Sequence, residues 1–424
     1  MRSLYSALIQ VLRPFALAAV LWRGLRNRLY WSGLGERFGF GTPPRPGHSI
    51  WVHAVSLGEV TAATPLVRAL LERHPGMPLV LTTATPTGRA RAQSLFGGAV
   101  EVRYLPYDTP GSMRRFIERA RPAVAMIMET ELWPNLFDQC RRRGIPLILA
   151  NARLSTRSVA RYRRFAGLFR PLFSNNTRVA AQSAEDAARF VAIGAARERT
   201  LVVGNVKFDV SPDAAHAARG LELRAAQWPA RPVWIAGSTH AGEEEPVLAA
   251  HAELQAAVPG ALLLLVPRHP QRFNDVVEMI RSMDCAVLRC SALDGAMGRI
   301  SDGTVLVLDT LGDLAAVYGL AAVAFVGGSL VAKGGHNPLE PAQFGVPVVM
   351  GPSYENFRDI VAKMQAADGI RIVRDKVGLE AALVDLLNDR PAAQAMGERG
   401  RKVFEQQQGA TARAVEALAG LVRQ

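Results

Sequence analysis

Short apolar runs alternate with amphipathic stretches along most of this chain, and that alternation sets the expected fold. A first series of runs falls at 50–55, 79–83, 102–105, 124–128, 147–150, 179–181 and 201–203. A second falls at 233–236, 262–266, 286–288, 305–308, 323–326, 346–350 and 370–373. The runs are rich in Val, Ile and Leu and too short for helices, and segments of roughly 10 to 15 residues with helical character separate most of them. Strands that are apolar throughout belong in parallel sheets covered on both faces. The pattern therefore predicts an α/β protein with two Rossmann-like domains, 31–206 and 232–390. Between them, 211–228 is Ala-rich and helical in character and is closed by Pro229 and Pro232, so the connection is placed at 207–231. Residues 391–424 read as a terminal helical segment. Two such domains facing each other would leave a central cleft, with the carboxyl ends of their strands pointing into it.

The pattern changes before residue 31. Residues 4 to 22 are largely apolar, but Arg13-Pro14 splits the run, and a spanning helix needs about 20 apolar residues. No small-residue cleavage site follows. Arg23, Arg26 and Arg28 do follow, an arrangement that keeps the body of a protein on the cytoplasmic side. Residues 1–30 are expected to form a membrane anchor, either inserted or lying at the interface. The 424 residues suffice for two domains with proper cores. The three cysteines, Cys140, Cys285 and Cys290, form no CxxC pair, which argues against a zinc site or a disulfide framework and for a reducing compartment.

The net charge of +13 is unevenly placed. Residues 1–45 hold seven arginines and one acid, Glu36, and residues 139–181 hold ten arginines and no acid. Such a surface favours anionic lipid or a phosphorylated substrate. No nucleic-acid-binding motif accompanies the charge, so nucleic acid is not an expected partner.

Polar clusters directly follow the apolar runs, where a doubly wound sheet keeps its ligands. Ser56-Leu57-Gly58-Glu59 comes first, and two roles are open to Glu59. Ser56-x-x-Glu59 is a capping box. Pro65, however, would sit inside a helix starting at Leu57. If Thr64-Pro65 begins the main helix, Glu59 stays in a loop, where its carboxylate can take a proton from an attacking hydroxyl. In Glu129-Thr130-Glu131, one glutamate is expected to face the cleft and the other to cap the helix beginning near Pro134. Nothing nearby completes a ligand set and no Asp-x-Asp occurs, so magnesium is not implied. Lys207 would supply positive charge to a developing anion.

In the second half, Gly237-Ser238-Thr239-His240 follows one run, Arg268-His269-Pro270 another, and Asp309-Thr310-Leu311 a third. Arginine matches phosphate with bidentate geometry, and histidine adds a further hydrogen bond. The most informative stretch is Gly334-Gly335-His336-Asn337-Pro338-Leu339-Glu340-Pro341, after the 323–326 run and the loop Gly327-Gly328-Ser329. Asn337 reads as N-cap, Pro338 as N1 and Glu340 as N3. Backbone N–H groups there would lack helical partners, and the glycines would let an anion approach, which suggests a nucleotide phosphate site. His336 is the expected ligand contact, whereas His53, inside a strand, is an expected core histidine.

Taken in order, these motifs resemble the 3-deoxy-D-manno-octulosonic acid (Kdo) transferases of lipopolysaccharide assembly. The matching runs are WVHAVSLGEV from Trp51, TTATPTGRAR from Thr82, IMETELWPN from Ile127, NARLS from Asn151, GNVKFD from Gly204, GSTHAGEEE from Gly237, LVPRHPQRF from Leu265, DTLGDL from Asp309 and FVGGSLVAKGGHNPLEPA from Phe325. They extend over about residues 35 to 360. The resemblance implies a metal-independent, inverting glycosyltransferase of the GT-B fold, without a cofactor. It would move Kdo from CMP-Kdo onto lipid IVA, a lipid A precursor, at the cytoplasmic face of the bacterial inner membrane.

The family's base falls on Glu59 and its transition-state stabilisers on Glu129 and Lys207. Cytidine monophosphate contacts fall on Arg268 and His269, on Asp309, Thr310 and Leu311, and on the Gly335–Pro338 loop, with Glu340 as a ribose partner. Ser238, Thr239, His240 and Gly334 complete the expected donor set. The arginines between 141 and 178 are candidates for acceptor phosphates or anionic lipid headgroups. The alternative left open is a UDP-sugar transferase or epimerase of the same fold.

Overall fold

The computed structural model describes residues 1–26, 28–41, 47–173, 175–209, 231–292, 300–310, 313–419 and 421. The chain divides into two compact units, Met1–Val210 with Gln407–Gln424, and Ser211–Gln406.

The first unit is built on a seven-stranded sheet: β1 Ser49–His53, β2 Leu79–Thr83, β3 Glu101–Tyr104, β4 Pro122–Met128, β5 Leu147–Ala152, β6 Thr177–Ala181 and β7 Thr200–Val202. The strand order is β3-β2-β1-β4-β5-β6-β7 and every pairing is parallel. Val52 stands opposite Leu81 on one side and Met126 on the other. Alternate residues feed opposite faces, as a pleated strand requires. Ile50 and Val52 enter a core with the helix Leu57–Arg73, and Trp51 enters a second core with the helices Pro110–Ala120 and Pro134–Arg142.

The second unit repeats the plan with β8 Val233–Thr239, β9 Leu262–Pro267, β10 Val287–Arg289, β11 Val305–Val307, β12 Val323–Val326, β13 Val348–Met350 and β14 Ile370–Ile372. Its order is β10-β11-β9-β8-β12-β13-β14, again all parallel. In each sheet the chain starts at a central strand and builds out to both sides, except that β11 returns to lie between β9 and β10. The strand order reverses between β1 and β4 in the first sheet and between β8 and β12 in the second. The crevice at the carboxyl ends of such a strand pair is where open α/β sheets bind ligands.

Three expectations need correction. The apolar N-terminal run is not split at Arg13-Pro14: one helix, Arg2–Arg26, passes through Pro14. A proline removes only its own N–H bond to the preceding turn, and the helix continues on either side. The helix Leu57–Arg73 likewise contains Pro65, so Glu59 lies in its first turn and not in a loop. Val60, Ala63, Leu66, Val67 and Leu70 form one buried stripe across the proline, which offsets the lost bond. The terminal segment 391–424 is divided. The helix Arg390–Gln407 stays almost wholly with the second unit, while Ala410–Ala419 returns to the first. Ala414, Val415 and Leu418 are buried there beside the Leu57–Arg73 helix, and Asp209 accepts the N–H groups of Gly409 and Thr411. The helix expected at 211–228 lies outside the described residues.

Candidate active site

At the β1/β4 reversal, the chain leaves β1 and enters the Leu57–Arg73 helix through Ser56, whose hydroxyl accepts the Glu59 N–H at 3.4 Å. The Glu59 carboxylate reaches back and accepts the Val55 N–H at 2.9 Å. The capping role and the site position therefore coincide. Burial pushes the Glu59 carboxyl up to about 7. The Val55 N–H pulls it down, Glu129 and Glu131 push it further up, and Lys207 pulls it down again. A carboxyl at that value is matched to proton transfer near neutral pH.

Glu129 directly follows β4 in the left-handed region, with φ at 54°, and its N–H donates to the Ala150 carbonyl at 2.9 Å. Strain of this kind in a non-glycine residue persists where the surroundings hold it, often at functional sites. The Lys207 ammonium meets the Glu129 carboxylate at 2.9 Å. Lys207 is placed by a short turn, Val206–Asp209, whose first N–H donates to the Asn151 side chain at 3.2 Å. Asn151 is fully buried and also left-handed, at φ 53°. Neither Glu129 nor Glu131 caps the following helix. Asp108 does, accepting the N–H groups of Asn135 at 3.0 Å and Leu136 at 2.8 Å, because its loop lies over that helix start and the glutamates do not.

In the second unit, β8 runs on to Thr239, so Ser238 and Thr239 are buried strand residues. Ser238 is left-handed at φ 57°. His240 lies just beyond, its Nε2 at 2.9 Å from Nε2 of His336, with the two rings nearly coplanar in orientation at 3°. The His269 ring meets His240 edge-on, with centroids 5.2 Å apart. Burial lowers His336 to about 4, and Arg268, His240 and His269 push in the same direction. Glu340 is raised by burial to about 7, against the pull of Arg268 and Asn337. Arg268 itself is exposed at the end of β9. Gly328, at φ 67°, must be glycine: a Cβ there would meet the His336 ring at 3.0 Å.

The glycine loop is not the open set of amides expected. The Gly334 N–H donates to the Ser353 hydroxyl at 2.9 Å, Gly335 to the Gly328 carbonyl at 2.8 Å and His336 to the Gly327 carbonyl at 3.1 Å. Asn337 accepts the Leu339 N–H at 3.1 Å, but the helix it opens is the single turn Leu339–Ala342. Buried amides find protein partners when they can, and so short a turn offers little helix dipole. Asp309 is also engaged, accepting the Ser291 N–H at 2.9 Å and its hydroxyl at 2.6 Å, with Arg289 at 3.8 Å. Thr310 is described beside it, whereas Leu311 lies outside the described residues. His53 is a core residue, fully buried against Thr82.

Sequence reasoning missed Glu243. Its carboxylate is fully buried and accepts four backbone N–H groups: His240 at 2.9 Å, Gly328 at 2.7 Å, Ser329 at 2.9 Å and Leu330 at 2.9 Å. It thereby joins the ends of β8 and β12 and fixes both loops that carry the paired histidines. The signal available was Gly242-Glu243-Glu244-Glu245, three acids after a strand end where one would serve a helix start.

Two seven-stranded parallel sheets, each with polar side chains at its reversal point, make the GT-B fold. The same fold is found in UDP-GlcNAc 2-epimerase from Neisseria meningitidis, with a TM-score of 0.59 and 12% identity over 88% of this chain and 100% of that one. The family profile described as 3-Deoxy-D-manno-octulosonic-acid transferase (kdotransferase) matches residues 32–210. The chain is 38% identical to the 3-deoxy-D-manno-octulosonic acid transferase of Haemophilus influenzae over 423 residues, covering 98% of each. It is 38% identical to that of Bordetella pertussis over 431 aligned residues, again covering 98% of each. The chain belongs to the Kdo transferase family and is a glycosyltransferase, which sets aside the epimerase alternative.

Proposed function

We propose that this enzyme moves Kdo from CMP-Kdo to a hydroxyl of lipid IVA in lipopolysaccharide synthesis, in one inverting displacement and without a metal ion. The second unit takes the donor and the first takes the acceptor. Glu59 removes the acceptor hydroxyl proton as that oxygen bonds to the anomeric carbon. The bond from that carbon to the phosphate oxygen breaks, and its electron pair leaves with CMP. Attack opposite the leaving group inverts the anomeric configuration. Lys207, held by Glu129, supplies positive charge to the transition state, and Arg268 with His240, His269 and His336 meets the departing phosphate.

The observation that carries this reading is the Glu59 carboxyl, poised near 7 at the β1/β4 reversal in the same electrostatic neighbourhood as Lys207 and Glu129. Membrane association is supported by the helix Arg2–Arg26, whose stretch Arg2–Leu25 is long and apolar enough to cross a membrane. Leu4, Leu8, Val11, Phe15 and Trp22 stand exposed along it. We place the enzyme at the cytoplasmic face of the inner membrane, among anionic lipids. The test is transfer of radiolabelled Kdo to lipid IVA by wild type and Glu59→Gln, with and without a chelator, and nuclear magnetic resonance of the new linkage. Transfer by Glu59→Gln at the wild-type rate, or a retained configuration, overturns the mechanism.

A further inference from the structure

Ten arginines lie between residues 139 and 181 without a single acid, and the structure separates them by what they touch. Arg141 and Arg142 are paired with Asp138, at 2.8 and 2.7 Å. Arg143 reaches Glu118 at 3.1 Å, and Arg178 donates to the Ala417 carbonyl at 2.7 Å. These four serve the fold. Arg163 and Arg170 are exposed without an ion pair among the described residues, and so are Arg153, Arg157, Arg161 and Arg164.

The last three lie on the helix Thr156–Arg164, at positions i, i+4 and i+7, which share one face. The opposite side carries Val159 and Tyr162, which pack on the core beneath the sheet. Like charges at this spacing repel, and no acid on the helix relieves them. Arg153 lies just before this helix, and its carbonyl accepts the hydroxyl of Thr130, the residue after Glu129. At the other end, the chain turns into Ala166–Phe169, where Gly167 leaves room for Met1 of the N-terminal apolar helix. Phe165 is exposed between the two helices. Three arginines of one helix face thus stand between a segment that holds Thr130 beside Glu129 and a segment packed against Met1 at the start of the apolar helix.

Resting on the acceptor role proposed above for the first unit, we infer that Arg153, Arg157, Arg161 and Arg164 bind phosphate groups of an anionic amphiphile. The phosphates they select are those of the acceptor itself, which these arginines conduct from the membrane surface to the base. Guanidinium binds phosphate through paired N–H donors, and an ammonium or amide at the same place does this less well.

The test uses full-length protein and the triple variant R157Q/R161Q/R164Q, with R141Q/R142Q as a control for charge lost elsewhere. Binding of a bisphosphorylated lipid A precursor in neutral detergent micelles is measured alongside kinetics. The triple variant should bind it ~10–100-fold more weakly and show a matching rise in acceptor KM, with kcat and donor KM within about twofold. The defect should shrink for a precursor stripped of one phosphate and at high salt. Flotation with phosphatidylglycerol vesicles free of acceptor separates the two phosphate sources. If vesicle binding falls and acceptor affinity in micelles does not, these arginines read bulk headgroups and the inference fails. It fails equally if neither changes, or if R141Q/R142Q weakens acceptor binding as much. If wild type binds the precursor but transfers no Kdo, the catalytic reading falls while the binding comparison still decides the arginines.

Discussion

Glu59→Gln is expected to abolish transfer and, above neutral pH, to stabilise the fold. Holding a carboxyl at about 7 rather than its ordinary 4.5 costs about 3 kcal/mol at any pH above both values. Glu59 is partly reached by solvent, which reduces that cost to about 1–2 kcal/mol. A negative charge in the first helical turn returns about 0.5 kcal/mol, which glutamine forgoes. Glutamine keeps an acceptor for the Val55 N–H, so a net gain of about 1 kcal/mol should remain. The sign follows from proton binding. The folded chain holds the Glu59 proton more tightly than the unfolded chain, so this residue makes stability fall as pH rises from 4.5 to about 7, with no further loss above. Thermal melts should place the first unit's transition roughly 2–4 °C higher in the variant at pH 8 and coincide with wild type near pH 4.5. Wild-type transfer should decline below about pH 7 as the base is protonated. A variant no more stable than wild type at pH 8, or one that still transfers at the wild-type rate, refutes the assignment.

Lys207→Met should move the acid limb of the pH–rate profile upward and Glu129→Gln should move it downward, because Lys207 lowers the Glu59 carboxyl and Glu129 raises it; a limb fixed in both variants excludes Glu59 as its source. Glu243→Ala strips four N–H groups of their acceptor and should cost about 3 kcal/mol or more, read as a lower melting transition of the second unit together with weaker CMP binding. An anion bound beside His336 should raise that imidazole from its depressed value of about 4, so CMP affinity measured by calorimetry should strengthen as pH falls from 8 toward 5, and His336→Gln should flatten that dependence.

All fourteen strands among the described residues were readable because buried parallel strands are continuous apolar runs, whose positions need no knowledge of partners. The carboxyl ends were harder. β8 extends through Gly237, Ser238 and Thr239, residues with no apolar signal, because pairing continues with β12 to Gly237 and, across an irregularity at Ser238, with β9 to Thr239. Pro14 and Pro65 read as breaks, yet both are carried inside helices whose buried or continuous neighbours outweigh one missing bond. Glu59 and Glu129 stand directly after apolar runs and Lys207 just before the connection, and the structure joins Lys207 to Glu129 by an ion pair. Asp108 capping a helix start 27 residues away, Asn151 holding the Lys207 turn and Glu243 bridging 85 to 87 residues were not legible. Each is a hydrogen bond between distant segments, and local sequence pattern has no term for it.

Glu243 also bears on how the proposed donor site treats negative charge. Successive amides at Gly328, Ser329 and Leu330 form the kind of concavity that takes a phosphate elsewhere. Here the protein's own carboxylate fills it, and the amides of Gly334, Gly335 and His336 are spent on protein acceptors. If a donor binds there as proposed, its charge must be met by side chains, and Arg268, Lys333 and the three histidines lie beside this loop. These are spread over several loops, not gathered in one nest. A nucleoside diphosphate concentrates its charge in one place and suits a nest. A nucleoside monophosphate joined to an acidic sugar presents a phosphate and a carboxylate some distance apart, which dispersed cations match better. On that basis CMP-Kdo should gain from both anions, and CMP alone should retain only the phosphate's share. A neutral-sugar donor binding as tightly as CMP-Kdo would contradict it.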